Sequence, residues 1–180
     1  MRKIVVSVAA ALCITLMACE SPKEKSLKEI ETLEAQDSVF NPENLEKQKN
    51  AYLAFADKYP DDERTPEFLF KSAQRIGAIA AEKNDIKMHE EAIQLFEKII
   101  STYPKNHYAE ESMFLIGFVY ENHLNNAEKA KYAYEKFLQQ YPNSELAEDA
   151  KKAITYLGKS PEEVLQNITT PAETTTEQAK

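Results

Sequence analysis

The sequence has no tryptophan, only three glycines and, beyond its first nineteen residues, no cysteine. Few glycines and no run of alternating Val, Ile or Thr after the N-terminal segment leave little material for strands, so the chain reads as all-α. Basic residues are also short, 22 Lys and Arg against 30 Asp and Glu, for a net charge of −8. That balance argues against nucleic acid and against an electrostatic hold on anionic lipid. Nor is any apolar run long enough to cross a bilayer. The longest, Ile4 to Met17, spans about 21 Å as a helix, short of the ~30 Å of hydrocarbon.

Reactive constellations are equally scarce. His89, His107 and His123 fall in no metal-ligand spacing, and His89-Glu90 has no second histidine four positions on. There is no glycine-rich phosphate loop and no nucleophile elbow. The acidic pairs Asp61-Asp62, Glu90-Glu91 and Glu162-Glu163 lie beside turns or at helix starts, where the helix dipole accounts for them. No catalytic residue, metal, cofactor or small-molecule substrate is expected.

What the chain does contain is repetition. Ala92 to Pro104 and Ala130 to Pro142 share a frame: a small residue, an aromatic four positions on (Phe96, Tyr134), a large apolar residue three further (Ile99, Phe137), and a closing Tyr-Pro. A third copy, Gln48 to Pro60, has Tyr52, Phe55 and Tyr59-Pro60 at the matching places, with Gln48 where the others have alanine. Steps of four and three line one helical face, and proline stops the helix. The closing prolines lie 44 and then 38 positions apart. One helical pair cannot bury its own apolar face, so such periods imply pairs stacked on copies of themselves. Ile116-Gly117, Tyr120, Ala130, Tyr134, Phe137 and Pro142 stand where the tetratricopeptide family has its Leu-Gly, Tyr, Ala, Phe, second apolar residue and Pro. The chain resembles that family, with Ala73 in place of the glycine in the preceding unit and a partial match over Ala153 to Gly158. The resemblance implies a solenoid of about three helix pairs.

Helix signals are legible throughout. A short, loosely docked helix is expected over roughly Ser26 to Gln36. Asn41-Pro42-Glu43 and Thr65-Pro66-Glu67 open helices reaching Tyr59 and about Glu82, and Asn84-Asp85 separates the second from Ile86 to Thr102. Asn106 or His107 starts another, Asn125-Asn126 turns into Ala127 to Tyr141, and Asn143-Ser144 caps Glu145 to Leu157, which Gly158 ends. Ser160-Pro161-Glu162-Glu163 is a capping box for one more turn or two, to about Asn167.

At the other end, Met1-Arg-Lys precedes the apolar run and Leu16-Met-Ala-Cys19 closes it. A charged start, an apolar segment and a small residue before the break make a secretory signal over 1–18. Leu16, Ala18 and Cys19 resemble the bacterial lipobox, which implies cleavage before Cys19 and lipid on its sulfur and amino terminus. Cys13 then leaves with the signal, no internal disulfide is possible, and 20 basic residues face 30 acidic ones. Residues 19–26 read as a short lipidated tether, holding a helical domain over 27–168 within about 25 Å of the lipid surface. Residues 169–180, Thr-rich and without a large apolar side chain, are expected to be disordered. Asn167-Ile-Thr169 fits a glycosylation sequon, a chance match in a bacterial chain.

Lipobox, acidic chain and Tyr-Pro repeats together resemble the lipoprotein family of outer-membrane β-barrel assembly (BamD type) and the repeat domain of the Tol-Pal-associated periplasmic coordinator, over about residues 41 to 158. Laying Gly117 and Ala73 on the family's glycine position places Glu67, Phe70, Gln74, Glu111, Phe114, Phe118, Glu121 and Asn122 on the concave groove. These resemblances imply a non-enzymatic adaptor of the bacterial envelope, anchored through Cys19 on the periplasmic face of the outer membrane, that binds a partner protein or peptide. Outer-membrane protein assembly is the leading role. A scaffold for envelope or cell-division coordination, and an accessory subunit of an envelope enzyme, are the alternatives.

Overall fold

The computed structural model describes residues 20–36, 41–160 and 162–165. Among them are seven α-helices: α1 Pro22–Glu34, α2 Pro42–Lys58, α3 Thr65–Lys83, α4 Ile86–Thr102, α5 His107–Asn122, α6 Ala127–Gln140 and α7 Ala147–Tyr156. A single helical turn follows at 162–165, and no strand occurs among the described residues. Each helix packs on its neighbour in sequence, and α3 also touches α5. The architecture is therefore a tetratricopeptide-like solenoid of three pairs, α1/α2, α3/α4 and α5/α6, closed by α7. The expected signal 1–18, Cys19, the tail 169–180 and the last residues of the helix expected to reach Asn167 lie outside the described residues.

Three identical corners set the stacking. Tyr59, Tyr103 and Tyr141 end α2, α4 and α6 with φ of −130°, −125° and −128° and ψ of 60°, 52° and 59°. The following proline disfavours helical backbone at the residue before it, which is why all three leave the helix at this point. Three residues on, Asp62, Asn106 and Ser144 donate their backbone N–H to the tyrosine carbonyl at 3.1, 2.9 and 3.1 Å. Their side-chain oxygens then accept the N–H two residues further, from Arg64, Tyr108 and Leu146. At the other ends, Asn84 and Asn125 take left-handed backbone (φ 51° and 48°). The next residue caps: Asp85 accepts from Lys87 and Met88, and Asn126 from Lys129. The Asn143-Ser144 expectation needs correction here. Ser144 serves the corner, 145–146 form a turn, and α7 begins at Ala147 without a side-chain cap.

Between corners, the repeat positions form the core. Tyr52, Phe55, Phe96, Ile99, Tyr134 and Phe137 are all buried, as are Ala92 and Ala130. Each such large side chain contributes about 1.5–3 kcal/mol on burial. Equivalent rings mark equivalent pairs: Phe70 meets Phe96 at 5.7 Å and Phe114 meets Tyr134 at 5.4 Å. Gly117 sits where a Cβ would lie 2.6 Å from the Tyr134 ring, so any side chain there would push the ring aside. Ala73, three residues after Phe70, fills the corresponding place opposite Phe96.

Gln48, which breaks the alanine pattern, is fully buried because it holds α1. Its Nε2 donates to the Leu33 carbonyl at 3.0 Å, joined by Asn44 Nδ2 at 3.3 Å, and its Oε1 accepts from Arg75 Nε at 2.6 Å. Glu34, the last residue of α1, accepts from Tyr52 Oη and Lys71 Nζ, both at 2.8 Å. The two amide bonds satisfy the Leu33 carbonyl, one of those a helix C-terminus leaves open, while the Glu34 carboxylate ties the same end to α2 and α3. Ile30 is buried beneath them. The helix begins at Pro22, four residues before the expected start, because Ser21 and Glu24 form a reciprocal capping box. The segment 22–26 read as tether is thus helical, and α1 is docked rather than loose.

Two outcomes follow. Gly117→Ala overpacks the Tyr134 contact and should lower stability by about 1–2 kcal/mol despite better helix propensity, whereas Gly77→Ala, with nothing within 4 Å of its new methyl, should raise it by about 1 kcal/mol. Denaturant unfolding of both variants measures this. The second concerns Glu34. Burial pushes its carboxyl up, but the hydrogen bonds of Lys71 and Tyr52 and the charges of Lys71 and Arg75 outweigh that and hold it below its ordinary 4.5. A depressed carboxylate stabilises the fold above the ordinary value, and that contribution is lost as pH falls through the lower folded value. Protection of the α1 amides, their exchange relative to the intrinsic rate at each pH, should therefore fall below about pH 4.5, while Glu34→Gln, weaker by about 1 kcal/mol at neutral pH, should show no such step.

Candidate functional site

The face available to a partner is formed by α3 and α5, the first helices of their pairs. The eight residues expected there divide into two classes. Phe70 is 4% exposed, its ring 4.9 Å from Tyr108 as well as against Phe96. Phe114 is half-buried against Tyr134 and Phe137, at 5.4 and 5.6 Å. Phe70 is therefore a core residue, not a groove residue as expected, and Phe114 packs on the core with part of its ring left open. The second helix of each pair raises its aromatic to the level of this turn and closes over it.

One turn further along, the face opens. Gln74 is exposed on α3. On α5, Phe118 is 41% exposed and Asn122 donates its amide to the Phe118 carbonyl at 3.0 Å. Among the described residues the exposed large apolar side chains are Ile86, Phe118, Tyr132 and Leu165. Of these, Phe118 alone belongs to the expected groove. Glu67 and Glu111 are half-buried at the front of the face. Glu67 pairs with Lys71 at 2.7 Å, and Lys71 also reaches Glu34, so this end of the face is tied to α1. Burial would push the Lys71 ammonium down, but its two carboxylate partners raise it above the ordinary lysine range. Glu121 accepts from Tyr134 Oη at 2.8 Å. Burial, reinforced by that carboxylate, drives the Tyr134 phenol well above its ordinary value. Glu121 thus joins the two helices of its pair, as Glu34 does through Tyr52.

Phe118 is braced by a pair of residues that local sequence could not join. The His123 ring meets its edge at 5.8 Å and stacks on His89 at 4.3 Å, nearly parallel at 15°. His89 belongs to the first turn of α4 and His123 ends α5, so the stack connects adjacent pairs. His89 is buried and its Nδ1 has no hydrogen-bond partner. Burial pushes its pKa below the ordinary 6.5 and the His123 charge adds to this, with Asp85, the α4 cap, opposing. Among the described residues no three His, Cys, Asp or Glu side chains are grouped to hold a metal. A concavity of about 700 Å³ lies instead between the Pro60 and Pro104 corners, its lining including Asp61, Asp62 and Glu63. It is a gap between loops bridged by Tyr103 Oη, which donates to the Pro60 carbonyl at 2.8 Å.

Comparison with known families agrees with this geometry. Residues 75–106 and 111–144 match the tetratricopeptide repeat family. The first segment covers the second half of α3 from Arg75 with α4 and its corner, and the second covers α5 from Glu111 with α6 and its corner. The α1/α2 pair lies outside both matches, as expected of a pair whose alanine has become Gln48. No curated protein matches the chain.

The histidine stack carries a pH dependence. A base whose folded pKa is depressed destabilises the fold as pH falls from its ordinary value toward the folded one, because the unfolded chain takes up the proton first. Stability should therefore decline below about pH 6.5, and His89→Gln should flatten that slope. Thermal midpoints across this range, with an NMR titration placing the His89 midpoint below 6.5, provide the check.

Proposed function

We propose that the chain is a non-enzymatic adaptor that binds a segment of a protein partner across the α3/α5 face, with Phe118 as the anchor. The observation that carries this reading is the Phe118 ring. It is large, apolar and solvent-facing, yet held by His123 and by the Asn122 bond to its backbone. The aromatic residues at the repeat positions are meanwhile turned inward. Exposed, oriented aromatic side chains in a concave setting are the kind that supply most of the energy of protein contacts. Gln74, Glu111 and Asn122 supply polar groups around it to fix the partner's register. Similarity to tetratricopeptide repeats, which serve as protein-binding scaffolds, supports a protein partner in general.

The more specific reading is that Cys19 carries a lipid and places the adaptor on the periplasmic face of a bacterial outer membrane. It rests on the resemblance of Leu16, Ala18 and Cys19 to the lipobox, and on the apolar run before it. Two or more acyl chains give stable anchoring where one is marginal. Within the envelope, a role in outer-membrane protein assembly leads. Coordination of envelope or division proteins, or service as an accessory subunit of an envelope enzyme, is the alternative.

A photoreactive residue at Phe118, used in intact envelopes beside a Cys19→Ala control, tests both levels. Crosslinks to a β-barrel assembly component, lost in the control, are expected. Crosslinks to cell-wall or division proteins would move the role to the alternative, and none from a normally anchored protein would overturn the groove reading.

A further inference from the structure

The α5 helix has a second face, turned away from Phe118, that also borders an open cleft. At about 100° per residue, Met113, Ile116 and Tyr120 lie roughly 180° around the helix from Phe118. They form the floor of a cleft whose walls are α4 and α6, the second helices of adjacent pairs. The cleft encloses about 420 Å³, within the range of sites that take specific ligands. Its α4 wall presents Ile100 and its α6 wall Ala133, with Tyr132 60% exposed at the lip.

Charge distinguishes this cleft from the rest of an acidic chain. The α6 wall bears Lys129, its ammonium 5.2 Å from the Tyr120 ring, and Lys136, 4.8 Å from the Tyr132 ring. Among the described residues neither forms an ion pair, whereas Lys131 on the same helix pairs with Glu135. α5 contributes no charge to the cleft, and α4 contributes Glu97 alone, on the opposite wall. The α6 wall is thus a local positive edge beside an apolar floor. Lys129 and Lys136 are seven residues apart, about 10 Å along the helix. In an extended polyproline-II segment, with three residues per turn and a rise of about 3.1 Å per residue, that distance separates residues i and i+3, which share one edge.

We propose that this cleft is a second docking site, on the convex side of the solenoid, for an extended segment of a partner protein in which two acidic residues flank two apolar ones. The carboxylates pair with Lys129 and Lys136, and the apolar side chains between them reach Met113, Ile116 and Tyr120. The site is independent of the Phe118 face, so one adaptor holds two segments at once.

Fluorescence anisotropy with the full chain tests this, using a labelled peptide built on Glu-Phe-Leu-Glu and a control built on Lys-Phe-Leu-Lys. Lys129→Glu with Lys136→Glu alters two exposed side chains and leaves the Asn126 cap, which uses the Lys129 backbone N–H, in place. The expected result is saturable binding of the acidic peptide that the double variant weakens by about tenfold or more, that salt weakens, and that Phe118→Ala leaves unchanged. Equal binding of the basic peptide, no binding of the acidic one up to about 1 mM, or loss of binding in Phe118→Ala overturns the proposal. Sedimentation of the peptide-free chain and binding after removal of residues 166–180 cover the other occupants. A dimer that the double variant dissociates would assign the cleft to a second copy, and binding seen only after truncation would assign it to the chain's own tail. Either result overturns the proposal.

Discussion

The whole array depends on one backbone constraint, the tyrosine that leaves each second helix because proline follows it. Three corners share their dihedral angles within about ten degrees and repeat the same two hydrogen bonds. The direction in which each following helix departs is therefore the same each time, and regular stacking follows. The side chain at the fourth corner position differs, Asp62, Asn106 or Ser144, but each supplies an oxygen acceptor. Chemistry is kept where geometry needs it and identity is not.

Sequence reading recovered the architecture because its signals are local. Proline, capping side chains and steps of three and four act within a turn or two, and α4 was expected at its observed limits. The capping box at Ser21 is equally local, but the same Ser, Pro, Lys and Glu are also the composition of a tether. Failures at the site have a different origin. Phe70 and Phe114 share a helical face with Gln74 and Phe118, and only the height of the partner helix decides which turn is covered. The His89–His123 stack joins residues 34 positions apart with no shared motif. The row Lys129, Tyr132, Lys136 was visible as steps of three and four, yet only the packing of α4 against α5 shows that it edges a cleft.

Departures from the repeat pattern coincide with added tasks. Gln48 gives up an alanine's close packing and gains a hold on the α1 terminus through Leu33. Gly117, in contrast, keeps the pattern because Tyr134 leaves no room for a methyl. The two tyrosines with glutamate partners, Tyr52 with Glu34 and Tyr134 with Glu121, show the same bond used within the first and third pairs. In the second pair Phe96 has no hydroxyl and apolar contact suffices.

The attachment of α1 also determines how the molecule carries load. In a solenoid each unit is stabilised chiefly by its neighbours, so tension entering at the N-terminal end is borne first by the α1–α2 seam. That seam holds buried Ile30 with Leu27 half-buried beside it, the Lys23–Asp62 pair near the start of the helix and the polar bonds of Leu33 and Glu34 at its end, whereas the inner seams interlock several aromatic rings. Under pull, α1 is the helix expected to yield first, as a mechanical fuse would. The later pairs, with both faces of α5, keep their shape after it has let go.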